Sequence, residues 1–278
     1  MKDKLKFKIL ISLSLFLLLS VCILFKGETY TSAEPLYRDS PREIIIQMFN
    51  TGGIMSDIME KTRVPDFTLY GDGRLIYTRF DEVQNVQLME TKVSPEYIRF
   101  LIGLFEKENF FQLNENYLNV TIPDLHTTHF VVNLTQRKKK VSVYGLALAA
   151  QQGMIPRNIT ALHRRLSEFM PESEEKEYVP TKISLFVHEV SRDSIGRDMK
   201  IEPWKVRGID LRKYAHQEKS LVIQYKDTVL EGDDMRNVVN FLKGKTLYEN
   251  RAGFLQTFFQ SHRAFFRVAY RPHMPYEQ

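Results

Sequence analysis

The chain has 278 residues, 43% hydrophobic and 26% charged, with a formal net charge of +5 and a single cysteine. Residues 1–33 carry Lys2, Lys4, Lys6, Lys8 and Lys26 against Asp3 and Glu28, which is +3 of that total, so the body carries only +2. A nearly neutral body argues against a nucleic-acid partner. Because the lone cysteine is Cys22, the body also has no disulfide, thiolate metal site or cysteine nucleophile.

The four alternating lysines precede an apolar run, Ile9 to Phe25. A basic flank followed by an apolar core marks export or anchoring, with the lysines staying cytoplasmic and the remainder translocated. As a helix, 17 residues reach about 25 Å, a little short of a bilayer's hydrocarbon core, and flanking lysines can snorkel to compensate. The alternative is a signal peptide cut near Ala33, after the small residues Thr31 and Ser32. A third fate is lipidation at Cys22, but Val21 stands where a small residue normally precedes the cysteine. The protein is therefore expected outside the cytoplasm, either held to the membrane by residues 1–33 or secreted.

Residues 34–42, with Pro35 and Pro41, read as a linker. A buried strand is expected over Glu43–Phe49, ended by Asn50-Thr51-Gly52-Gly53. Phe67–Tyr70 and Leu75–Phe80 flank Gly71-Asp72-Gly73, a strong hairpin signal. A further strand follows at Gln84–Thr91. Ser94-Pro95 opens a helix, serine as N-cap and proline in the first turn, with Ile98, Leu101, Ile102 and Phe105 on its buried face. A second hairpin, Thr127–Leu134 and Lys140–Leu146, turns at Gln136–Lys139. A second amphipathic helix spans Asn158–Met170. The acidic stretch Pro171–Lys176 is the best boundary. Beyond it come strands at Thr181–Val190, Leu221–Tyr225 and Ala264–Tyr270, and a third helix from Asp234 to Lys243 capped by Asp233 or Asp234. The expected architecture is α+β: antiparallel sheet with two or three amphipathic helices packed on one face, preceded by an N-terminal apolar helix. Residues 43–170 form one α+β domain and 177–278 a second unit, which can be continuous with the first.

Few residues carry obvious chemistry. Asp124, His126 and His129 are sound metal ligands by type. If the strand starts near Thr127, however, His126 lies in the loop before it, and both histidines are expected to be solvated. Glu172, Glu174, Glu175 and Glu177 are expected in a solvated linker, where nothing raises a carboxyl pKa for acid–base work. The Arg137–Lys140 cluster reads as a charged turn. There is no G-x-S-x-G, P-loop, G-x-G-x-x-G or H-E-x-x-H motif. No catalytic residue, cofactor or metal site is assigned.

Three segments carry a resemblance: Pro65-Asp66-Phe67-Thr68-Leu69-Tyr70-Gly71-Asp72-Gly73, Asp124-Leu125-His126-Thr127-Thr128-His129-Phe130, and Val141-Ser142-Val143-Tyr144-Gly145-Leu146. With looser pieces at Tyr178-Val179-Pro180, Pro203-Trp204 and the C-terminus, the body resembles a family of exported bacterial proteins, some lipoprotein-like, with no established activity. The family pattern includes Asp124 and the threonine pair but does not call for His126 or His129. The resemblance implies export and an α+β body, and it carries over no functional residues. The function expected is a non-enzymatic binding or interaction module for an envelope partner. The alternatives are a hydrolase with a site near Asp124 and His129, and an envelope assembly factor that pairs through a sheet edge.

Overall fold

A computed structural model describes residues 35–53, 57–82, 85–118, 120–171, 173–215, 228–247 and 256–277. The apolar helix expected at the N-terminus and the strand expected at 221–225 lie outside these residues. Among the described residues no helix is long and apolar enough to cross a membrane. The fold is mixed α+β, with two sheets and six α-helices among the described residues.

The first sheet has eight strands in the order β5-β7-β6-β1-β2-β3-β4-β8. They are β1 (Ile44–Gly52), β2 (Phe67–Tyr70), β3 (Arg74–Phe80), β4 (Val86–Lys92), β5 (Asn116–Tyr117), β6 (His126–Asn133), β7 (Lys138–Tyr144) and β8 (Glu175–Glu177). All neighbours are antiparallel except β5 and β7. One face is covered by α2 (Pro95–Lys107), α3 (Leu146–Gln151) and α4 (Arg157–Ser167). Ile102 and Phe105 of α2 and Ile159 and Leu162 of α4 share one buried cluster with Met48, Phe67 and Phe130 from the strands. Ser94 caps α2 as expected, its Oγ accepting from the Tyr97 N–H at 3.2 Å.

The poor alternation of the first strand has a cause. A register shift between Ile44 and Ile46 turns Ile45 and Ile46 both into the helix-covered core, while Ile44 packs on the opposite side. The strand also runs on through Asn50 and Thr51, because β6 continues to pair with it as far as Gly52 opposite His126. The Gly71-Asp72-Gly73 turn is equally specific. A Cβ at Gly71 would lie 1.9 Å from the Arg38 carbonyl oxygen, and Gly73 has φ +84°. Asp72 Oδ1 accepts from the Arg74 N–H at 3.0 Å, which is the role of a turn residue.

The second sheet has five strands in the order β10-β12-β13-β9-β11: β9 (Lys182–Val190), β10 (Lys200–Pro203), β11 (Thr228–Glu231), β12 (Thr257–Ser261) and β13 (Ala264–Pro272). Only β10 and β12 run parallel. Leu211 of α5 (Leu211–Tyr214) and Val238 and Leu242 of α6 (Gly232–Leu242) join Leu185, Phe266 and Val268 in its core. α1 (Asp57–Thr62) lies against β13. Both sheets belong to one compact unit, Tyr37–Gln278. The uncovered side of the first sheet meets the end of the chain through Tyr70, Ile76, Tyr178 and Met274.

Four expectations change. The acidic stretch is no solvated linker at Glu175–Glu177, which is β8. There Glu175 accepts from the Tyr77 hydroxyl and pairs with Arg79. Lys138 and Lys139 belong to β7 rather than to the turn, so the strand expected from Lys140 starts two residues earlier. His126 is the first residue of β6, not a loop residue. Glu231, not Asp233 or Asp234, stands at the N-cap position of α6, with Asp233 and Asp234 in the first turn.

Candidate ligand-binding site

The registers of β1, β6 and β7 set Phe49, His129 and Ser142 side by side on the face away from the helices. His129 is 8% exposed, and both ring nitrogens meet hydroxyls: Nδ1 with Ser142 Oγ at 2.9 Å, Nε2 with Thr51 Oγ1 at 2.7 Å. The Phe49 ring leans on the imidazole with centroids 4.7 Å apart, and Lys140 Nζ stands 5.5 Å from the Phe49 centroid. Burial, aided by the nearby Lys140 charge, holds the His129 pKa below the ordinary histidine value. The imidazole is therefore neutral at pH 7. The expectation of a solvated His129 does not hold, because two hydroxyls and a phenyl ring enclose it.

The neighbouring row, Asn50 and Thr128, belongs to the opposite face. The Thr128 hydroxyl donates to Asn50 Oδ1 at 2.7 Å, and Asn50 Nδ2 donates to Asp66 Oδ2 at 2.6 Å. Burial pushes the Asp66 carboxyl up to about 6, against the opposing pull of Arg63 and the Asn50 hydrogen bond.

Beside the Phe49–His129 row opens a cleft of about 330 Å³, lined among others by Gln47, Thr51, Glu60, Arg63, Arg271 and Tyr276. Its wall is pinned at the C-terminus. Arg271 Nε donates to the Arg63 carbonyl at 3.2 Å, and its guanidinium pairs with Glu277. Glu277 also accepts the Met274 N–H at 2.8 Å. These bonds fix the short turn Pro275–Glu277 and set Tyr276, which hydrogen-bonds Gln47, at the cleft edge. A second cleft of about 330 Å³, floored by Val64, Leu88, Tyr178 and Leu242, has a rim through Glu82, Asn85 and Leu247 that adjoins residues outside the described set.

Asp124 is exposed, with φ +60°, in the loop before β6. His126 and His129 are three residues apart on one strand and so face opposite ways. His126 acts electrostatically on His163 of α4, on the helix side, and His129 looks the other way. The sheet thus separates the two histidines. No group of three or more His, Cys, Asp or Glu side chains placed for a metal occurs among the described residues. Cys22 lies outside them.

Comparison with known families covers part of this arrangement. Residues 62–170 match the model of DUF6438, a domain of unknown function. No curated protein and no solved structure matches the chain. The DUF6438 segment holds Arg63, Asp66, His129, Lys140 and Ser142. Gln47, Thr51, Arg271 and Tyr276 lie outside it, so the cleft is built jointly by the domain and by the strand and C-terminal turn that flank it.

Proposed function

We propose that the chain is an extracytoplasmic binding module, held to the outer side of the membrane by its N-terminal segment or released by cleavage near Ala33. The observation that carries the binding part is the polar cleft. Its side chains come from β1, from α1 and the segment after it, and from the C-terminal turn; the sheet ladder positions those of β1, the Gly52 carbonyl holds Arg63, and the Arg271–Glu277 pair holds the turn. A concave site with a few convergent polar groups is where a ligand is expected. The basic flank and apolar run at the N-terminus support the location.

The test places a photo-crosslinking residue at the exposed Thr51 in the full chain in intact cells. A specific adduct is the expected result, and recovery of none counts against the binding function. The mass of the mature protein reports the N-terminus: a start at Glu34 means release, an intact Met1 means anchoring, and a lipid on Cys22 overturns both.

The Ser142–His129 contact favours a second function, a hydrolase using Ser142 Oγ as nucleophile and the neutral imidazole as base. It is the weaker of the two, since both imidazole nitrogens meet hydroxyls and neither is left for an orienting carboxylate. A serine-reactive fluorophosphonate that labels the chain, and fails to label Ser142→Ala, would establish it. An envelope assembly role through the free side of β7 is weaker still. β5 covers only Ser142 and Val143, and the strand ahead of it is Lys138-Lys139-Lys140, the kind of edge that repels an added strand.

A further inference from the structure

Building on the binding function, we propose that the ligand is an oligosaccharide bearing carboxylate groups, laid across the open face of β1, β6 and β7 with one end in the cleft beside Tyr276. Three observations converge on this chemistry. The first is the mix of groups. The exposed Tyr276 ring offers a face for the C–H side of a sugar. Gln47, Thr51, Glu60 and Arg63 offer planar amide, hydroxyl, carboxylate and guanidinium groups for its hydroxyls. A purely apolar ligand would leave these polar groups desolvated and unsatisfied.

The second observation is extent. The face does not stop at the cleft. Gln47 stands opposite Val131, and Val131 opposite Lys140, while Asn133 stands opposite Lys138. Side chains from three adjacent strands therefore continue the surface away from Tyr276. Neighbouring strands lie about 4.8 Å apart, so this row suits a chain of several sugar units rather than a single small molecule.

The third is charge. Lys138 and Lys140 are both exposed on this face. The carboxylates near the cleft are largely committed: Glu277 to Arg271 and the Met274 N–H, Asp66 to Asn50 on the other side of the sheet. Glu60 remains at the rim. The far end of the face is thus cationic, which complements a uronate-type anion. The body's overall charge of only +2 does not suit a nucleic acid, whose backbone needs a broad basic footprint.

The deciding experiment is calorimetric titration of the full chain, in detergent, with a hexamer of galacturonic acid, with a neutral glucose hexamer, and with anionic phosphatidylglycerol vesicles. The acidic hexamer is expected to bind, more weakly as salt rises, and about tenfold more weakly to Lys138→Gln/Lys140→Gln. Lys213→Gln, an exposed charge change on α5, is expected to leave it unaltered. Equal binding of the neutral hexamer, indifferent to the lysine pair, overturns the acidic assignment. Binding of vesicles alone replaces the saccharide with a lipid surface. If no hexamer binds while the Thr51 crosslinker still captures a partner, the ligand class is wrong and the binding function stands. If neither occurs, both fall.

Discussion

Asp66 and His129 sit near the same point of the first sheet and respond to acid in opposite senses. The folded Asp66 pKa of about 6 lies above its ordinary 3.8, so the native state takes up a proton that the unfolded chain does not. Stability therefore rises as pH falls from about 6 towards 3.8, and the cost of the buried charge is fully present above 6. That cost is at most about 3 kcal/mol. For His129 the folded pKa is lowered, so the unfolded chain binds protons first and stability falls as pH drops below about 6.5. Asp66→Asn should be more stable than the parent at pH 7.5, with the difference vanishing by about pH 4. Urea melts of both chains across that range provide the check, and a pH-independent difference would refute the assignment. The His129 imidazole should titrate below 6.5 by NMR and move up in Lys140→Gln. Gly71→Ala should lose several kcal/mol in a thermal melt, because its methyl would collide with the Arg38 carbonyl. The Gly-Asp-Gly motif announced that turn plainly. What no local pattern could disclose was the segment around Arg38 passing over it.

Among the elements, legibility followed periodicity and length. α2 and α4, with apolar residues at three- and four-residue intervals, were legible nearly to their ends; α4 stops at Ser167, leaving Met170 exposed while Phe169 still packs on Phe67 and Tyr77. The hairpin of β6 and β7 was legible as a hairpin but not in register. A turn centred on Gln136–Lys139 puts Leu134 opposite Lys140, whereas the tighter turn pairs Asn133 with Lys138 and so brings Ser142 opposite His129. Lys138 and Lys139 looked like a turn because charge was read as solvent exposure, although on a strand flank that no neighbour covers charge also prevents unwanted pairing. That slip hid the pairing of Ser142 with His129, and ending the first strand at Phe49 hid the reach of Thr51 to the same imidazole. The two-residue β5 and the four-residue β10 and β11 have too few residues to show any alternation. β8 was disguised by its acids: Glu175 meets Tyr77 and Arg79, and Glu177 pairs with Lys243. Glu175→Gln should weaken that edge: amide exchange at residues 175–177 is expected to speed up while α2 stays protected. Unchanged exchange would show that the ladder to β4 holds β8 without the ion pair. Ser94→Ala should cost α2 about 1 kcal/mol through the lost cap, read in the same melts.

At the scale of the whole molecule, two sheets of eight and five strands were legible as an α+β body, but not as this order of strands. The cleft depends on joining residues near 47, near 63 and near 276, a closure over more than 200 positions that no spacing rule reports. Arg271→Ala should therefore loosen the C-terminal turn and lower ligand affinity together, since it frees both Glu277 and the Arg63 carbonyl. Lost affinity with an unmoved Tyr276, followed by its ring resonances, would instead assign the arginine to direct ligand contact.

The position of β1 has a mechanical consequence. It is the first strand after the segment 35–43, yet it lies inside the sheet, hydrogen-bonded to β6 on one side and β2 on the other. Tension arriving along the N-terminal segment enters at a strand gripped from both flanks, where two ladders must yield together, rather than at a rim where strands can be peeled away one at a time.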